Sequence, residues 1–236
     1  MAKRPVFIPT TDGPALVSTV LVDFEWFPGM ALSQAQKCVE SLHDATRKAV
    51  GVQRILEISS KSKEDLGVQL SAFNLKIRTL KYQREFSVEC AYQASKVFER
   101  GGPFTDLLGA TSLEAKRDPR LTQNGRMTKF VFFKQEWPLE PRTAFYDWLY
   151  INALHKHIDY VDEVLQYQAF TDIAFNPERS VNCQAYAAAL YSSLVRRKML
   201  NQTLLQDQEL YLSMVKGMKV SNAHENTVTQ DRINFD

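Results

Sequence analysis

Apolar and polar positions alternate from Leu16 to Trp26: Leu16, Val20, Val22, Phe24 and Trp26 share one face, and only Ser18 breaks the pattern. A period of two predicts a strand, and Pro28-Gly29 turns the chain after it. The period then changes. From Ser33, an N-cap residue by type, Cys38, Val39, Leu42, Ala45 and Ala49 form one stripe of a helix expected to reach Val50. Arg54 to Ser59 reads as a short second strand. Ser59-Ser60-Lys61-Ser62 and Leu70-Ser71-Ala72-Phe73-Asn74 are small, polar and irregular, yet each is edged by apolar residues, as loops that carry function often are.

Ser87 caps a predicted helix running to about Arg100, which Gly101-Gly102-Pro103 ends. Short helical pieces are expected around Phe104–Leu108 and Ser112–Arg117, and a strand from Lys129 to Phe133 ahead of Trp137-Pro138. Thr143 to His157 reads as a long aromatic-rich helix. Asn176-Pro177 marks a turn, and Cys183 to Arg197 a largely buried helix whose apolar run suits a core and is too short for a membrane span. A last amphipathic helix spans Leu204 to Lys216. No repeat or linker divides the chain. The reading is α+β: a mostly helical single domain over residues 1–220 with a small N-terminal β element, and a polar, frayed tail over 221–236.

Composition changes this picture little. The 236 residues hold 29 basic and 27 acidic side chains, a balance that argues against a protein coating nucleic acid non-specifically and leaves a local basic patch open. Cys38, Cys90 and Cys183 are odd in number and far apart, with no CxxC pair, so neither a disulfide framework nor a zinc site is suggested. No apolar leader follows Met1-Ala2-Lys3-Arg4-Pro5, and the expected location is the cytoplasm.

Candidate chemistry gathers in a few places. On the predicted helix Glu89, Gln93, Lys96 and Arg100 fall at i, i+4, i+7 and i+11, one narrow face. Periodicity alone fits a solvated stripe; the alternative is a carboxylate at the floor of a cleft, with Gln93 and Lys96 binding substrate beside it. Asp172 lies among apolar residues in Phe170-Thr171-Asp172-Ile173, which would make it matter chemically, or it bonds the turn before Asn176-Pro177. Ser59, Ser60, Lys61 and Ser62 could cradle a pyrophosphate or be a solvated turn. Tyr92 and Trp148 could stack on a base or simply pack. His155 and His157 point to different sides of a helix, so no metal is expected there, and no GxSxG, P-loop or GxGxxG is present.

The run Ser87-Val88-Glu89-Cys90-Ala91-Tyr92-Gln93-Ala94-Ser95-Lys96 resembles the S/T-V-E-x-x-x-Q-x-x-K helix of the NADAR (YbiA-like) family. Leu70-Ser71-Ala72-Phe73-Asn74 is similar to that family's loop before the helix, and Glu114-Ala115-Lys116-Arg117 to a segment after it. Leu56-Glu57-Ile58-Ser59-Ser60-Lys61-Ser62, Trp137-Pro138-Leu139-Glu140-Pro141 and Phe145-Tyr146-Asp147-Trp148-Leu149-Tyr150 resemble the branch of NADAR antitoxins paired with DarT-type DNA ADP-ribosyltransferases. The resemblance spans about residues 55–195. It implies a hydrolase that removes ADP-ribose from guanine in DNA, with RNA or nucleoside as other carriers of the base, with no metal or cofactor, and a cognate DarT-type toxin as functional partner. The alternatives are an N-glycosidase acting on a small phosphorylated metabolite and a non-enzymatic antitoxin that blocks the toxin. The resemblance further implies Glu89 and Asp172 as catalytic carboxylates, with Ser59, Ser60, Lys61, Ser62, Ser71, Phe73, Asn74, Tyr92, Gln93, Lys96 and Trp148 about the substrate. Two features depart from the YbiA branch: Cys90 stands where that branch has an aromatic residue or His after the Glu, and its late Trp-Gly motif has no counterpart.

Overall fold

Residues 2–9 hold Pro5 and Pro9 and still form a strand. In the structure, a computed structural model describing residues 1–79, 83–178 and 180–217, β1 (Ala2–Pro9) pairs antiparallel with β2 (Val17–Phe24) from Ala2↔Phe24 to Pro9↔Val17. On its other side β1 meets its neighbour at a single position, Phe7↔Phe170, so the proline without an N–H costs little ladder there. The expected tail, residues 221–236, lies outside the described residues.

The chain continues through α1 (Leu32–Val50), β3 (Ile55–Glu57), α2 (Asp65–Gln69), β4 (Lys76–Arg78), β5 (Glu85–Ser87), α3 (Val88–Ala94) and β6 (Lys96–Phe98). Then come α4 (Ser112–Arg117), α5 (Arg120–Gln123), β7 (Met127–Phe132), β8 (Gln135–Trp137), α6 (Ala144–His155), α7 (Ile158–Val164), β9 (Ala169–Thr171), α8 (Gln184–Arg196), α9 (Gln202–Gln206) and α10 (Gln208–Gly217). The fold is α+β. One sheet has the order β2-β1-β9-β3, with β3 and β9 parallel; β4-β5 and β6-β7-β8 form two smaller ones.

Alternation along the strands shows where the sheet sits. Val6, Ile55 and Ala169 pack with Cys38, Val39 and Leu42 of α1, while Phe7, Leu56 and Phe170 turn to the other face and the main core. The sheet is therefore sandwiched, which is why β3 is buried at every residue, as a strand covered on both faces must be. The second cover is α8, backed by α6; both are apolar nearly all round, and each large side chain buried there contributes about 1.5–3 kcal/mol.

Several expected boundaries move. The N-cap of α1 is Ala31, without a side-chain bond, and Ser33 falls inside the first turn. Trp26 lies beyond β2, 43% exposed, with Arg4 over its ring. The helix expected to reach Arg100 ends at Ala94, because Lys96-Val97-Phe98 pairs instead with β7, Lys96 opposite Phe130. The 204–216 helix is two pieces, α9 and α10, broken at Asp207. Among the described residues no helix is long and apolar enough to cross a membrane.

Asp147 on α6 is buried, its Oδ1 has no partner, and burial pushes its carboxyl up to about 7 from an ordinary 3.8. The folded state thus holds a proton that the unfolded chain gives up near 4, so stability from this group falls as pH rises from about 4 to about 7. Asp147→Asn is expected to melt on the order of 5 °C above the wild type at pH 8 and level with it at pH 4. Thermal melts across that range check it; matching curves at pH 8 would contradict it.

Candidate active site

Parallel strands bind ligands beyond their carboxyl ends. Here β3 and β9 run side by side, and the chain leaves them as Ile58-Ser59-Ser60-Lys61 and Asp172-Ile173-Ala174. Those two segments, the 71–73 loop and one side of α3 enclose a cleft of about 980 Å³, at the upper end of the range for small-molecule sites.

Glu89 enters from the first turn of α3. Ser87 caps that helix by accepting the Cys90 N–H at 3.1 Å, and the Glu89 N–H is held by the Ala72 carbonyl at 2.9 Å. The carboxylate is 6% exposed, accepts from Gln93 Nε2 at 2.9 Å and stands 3.9 Å from Lys116 Nζ. Lys96 reaches the same cleft from β6 rather than from the helix, its Nζ 4.6 Å from the centre of the Tyr92 ring. Burial pulls its pKa down to about 8, with Glu89 opposing and Lys116 assisting. Arg100, the fourth member of the expected stripe, is outside and donates to the Gln123 carbonyl at 2.9 Å.

A second carboxyl faces the cleft from the end of β9. Asp172 accepts from the Ala174 N–H and from Gln184 Nε2, both at 3.0 Å. Burial, then the neighbouring Glu57 carboxyl, pushes it up to about 7. Glu57 is itself buried beneath the loops, and burial raises its carboxyl too. It accepts from Ser59 Oγ at 2.6 Å, the Ile173 N–H at 2.9 Å and Thr171 Oγ1 at 2.7 Å, so it ties the 58–61 loop to the turn carrying Asp172. With Thr171 donating to Glu57, His43 Nε2 donates to Thr171 Oγ1 at 2.9 Å, and burial lowers the His43 pKa to about 4, keeping the ring neutral.

The cleft brings together Ser59, Ser60, Lys61, Ser71 and Phe73 with Glu89, Tyr92, Gln93, Lys96 and Asp172. Three expected wall residues lie elsewhere. Ser62 is turned inward, where its Oγ accepts the Glu64 N–H ahead of α2, at 3.1 Å, and Gly67 packs so closely that a Cβ would meet that oxygen at 2.4 Å. Asn74 donates to the Val68 carbonyl at 2.9 Å and closes its own loop. Trp148 lies on Trp137, ring centres 4.7 Å apart, and donates its indole N–H to the Leu205 carbonyl at 3.0 Å, so it anchors α9. Tyr92 lines the cleft with its ring packed on Phe130 and Tyr146.

Arg142, Asn182 and Gln184 also line the cleft and gave little sign of themselves in sequence, while Lys116 and Tyr146 lay in runs that carry the resemblance without being picked out for the site. Glu57 had a legible signal, a lone carboxylate inside the apolar run Ile55-Leu56-Glu57-Ile58. Cys90, where the sequence departs from the YbiA pattern, faces the Ala110 carbonyl at 3.3 Å and is not among the cleft residues.

An α+β core with a cleft at the ends of two parallel strands, holding Glu89, Gln93 and Lys96 of a single short segment, is consistent with a NADAR-type protein. More narrowly, the chain belongs to the DarT1-associated NADAR antitoxins, whose family model matches residues 2–225. Among curated proteins none matches it. Family membership carries an antitoxin role toward a DarT-type toxin.

Proposed function

We propose that the protein is a hydrolase that cuts the N-glycosidic bond between ADP-ribose and a guanine base in DNA, reversing the toxin's modification in the cytoplasm. The observation that carries this reading is two carboxyl groups facing one cleft in unlike surroundings: Glu89 beside Lys116 and Gln93, and Asp172 beside Glu57 and pushed up to about 7. Environments that hold two acids apart are how one site supplies both a carboxylate and a proton donor.

Breaking the bond builds positive charge on the anomeric carbon. Glu89 stabilises that charge and takes the proton of the attacking water, while Asp172 gives its proton to the departing base nitrogen. The C–N bond breaks, a C–O bond to water forms, and the products are free ADP-ribose and DNA whose guanine is unmodified. Ser59, Ser60, Lys61 and Lys116 lie in the same cleft to meet the pyrophosphate, and the Phe73 ring, with Lys116 Nζ 5.1 Å from its centre, offers a face to a base.

Lys116 is more than half exposed, so its charge acts through a screened medium. Lys116→Met is expected to lower kcat/KM about tenfold, mostly through KM, with a smaller loss at high salt. Steady-state kinetics at two ionic strengths checks this; an unchanged KM would remove Lys116 from the substrate's surroundings.

Co-expression with the toxin separates hydrolysis from simple blocking. The wild type should restore growth and Glu89→Gln should not. Equal rescue by both would mean that the protein protects by binding the toxin rather than by repairing its product.

A further inference from the structure

Gln184 is the first residue of α8, the helix fixed deepest in the core, and its side chain projects into the base of the cleft. Its amide makes contact with three separate loops. Oε1 accepts the Ala72 N–H at 2.7 Å; Nε2 donates to the Ile58 carbonyl at 2.6 Å and to Asp172 Oδ2 at 3.0 Å. Turning the amide over would set N–H against N–H and carbonyl against carbonyl, so the arrangement is held one way round. Through Ala72 it reaches the other carboxylate as well, because the Ala72 carbonyl accepts the Glu89 N–H at 2.9 Å.

We propose that Gln184 is a positioning residue that sets Asp172 relative to Glu89 by clamping the 58–61, 71–73 and 172–175 segments to the end of α8. This rests on the reading of Asp172 and Glu89 as the reacting pair. Glu57 already ties the 58–61 segment to the 172–175 turn. Gln184 adds the 71–73 loop and joins all three to α8, which is buried through Ala185, Tyr186, Ala187 and Ala188. A clamp of this kind supplies geometry, so its loss should slow the chemical step more than it weakens binding. Direct contact of Gln184 with substrate would do the reverse.

Gln184→Met keeps length and volume and removes every one of these bonds. Its kcat should fall about 100-fold, with KM changed less than about threefold. Amide exchange should quicken roughly tenfold in all three segments together, with α6 unchanged. Gln184→Glu keeps the acceptor for Ala72 and loses the donors; exchange should quicken at 58–61 and 172–175 and stay slow at Ala72. It serves as the test if the methionine variant does not fold. A raised KM with kcat retained, or normal exchange in the three segments, overturns the proposal. If the wild type releases no ADP-ribose, the proposed function fails, and the exchange pattern alone still decides whether Gln184 is the clamp.

Discussion

Glu89→Gln is expected to lower the rate of ADP-ribose release by about 1,000-fold or more while leaving the fold and the binding of free ADP-ribose close to normal. The substitution keeps the shape of the side chain and an oxygen for Gln93 Nε2, which now sits 2.9 Å away. In the proposed mechanism it removes the negative charge next to the anomeric carbon and the acceptor for the water's proton. Charge that matters only in the transition state shows in kcat and not in binding. Because the carboxylate is nearly closed off from solvent, its field there is little screened. Single-turnover rates with calorimetry on ADP-ribose make the separation. A variant within tenfold of the wild type would take the leading role away from Glu89.

Asp172→Asn should cost about 100-fold in kcat and should also change the pH profile. As the acid of the proposed mechanism, Asp172 must carry its proton; held at about 7, it loses that proton as pH rises, and activity is expected to fall on the alkaline side. Burial and the Glu57 carboxyl of β3 raise this value, and the hydrogen bonds from the Ala174 N–H and the Gln184 amide hold it back. In the asparagine variant the limb near 7 should vanish. An unchanged limb in that variant would assign the proton to another group.

The elements that a reader of the sequence can place are those whose period is long and unbroken. The stripe of α1 and the apolar run of α8 announce themselves. The spacing on the helix of Glu89 fitted a solvated stripe, and only the family resemblance singled that residue out. The misses have physical causes. In β1 two prolines hide a strand that is tolerated because one edge is almost unpaired. At Ser95 the helical spacing of Glu89, Gln93 and Lys96 runs on, yet the pairing of Lys96 with Phe130 turns that residue into a strand and still delivers its amine to the cleft. Trp148 was a plausible stacking residue by type; only the location of Trp137 and Leu205 shows that it is spoken for. Glu57 and Gln184 serve through partners 116 and 126 residues away in sequence, respectively, and no local pattern encodes such a meeting.

The most direct measurement is to incubate the purified protein with a DNA oligonucleotide carrying ADP-ribose on guanine and to resolve the products by gel and mass spectrometry, with Glu89→Gln alongside. Restored unmodified DNA together with free ADP-ribose, lost in the variant, is the expected result. Intact modified DNA in the presence of folded wild-type protein, or equal release by the variant, would contradict a hydrolase built around Glu89.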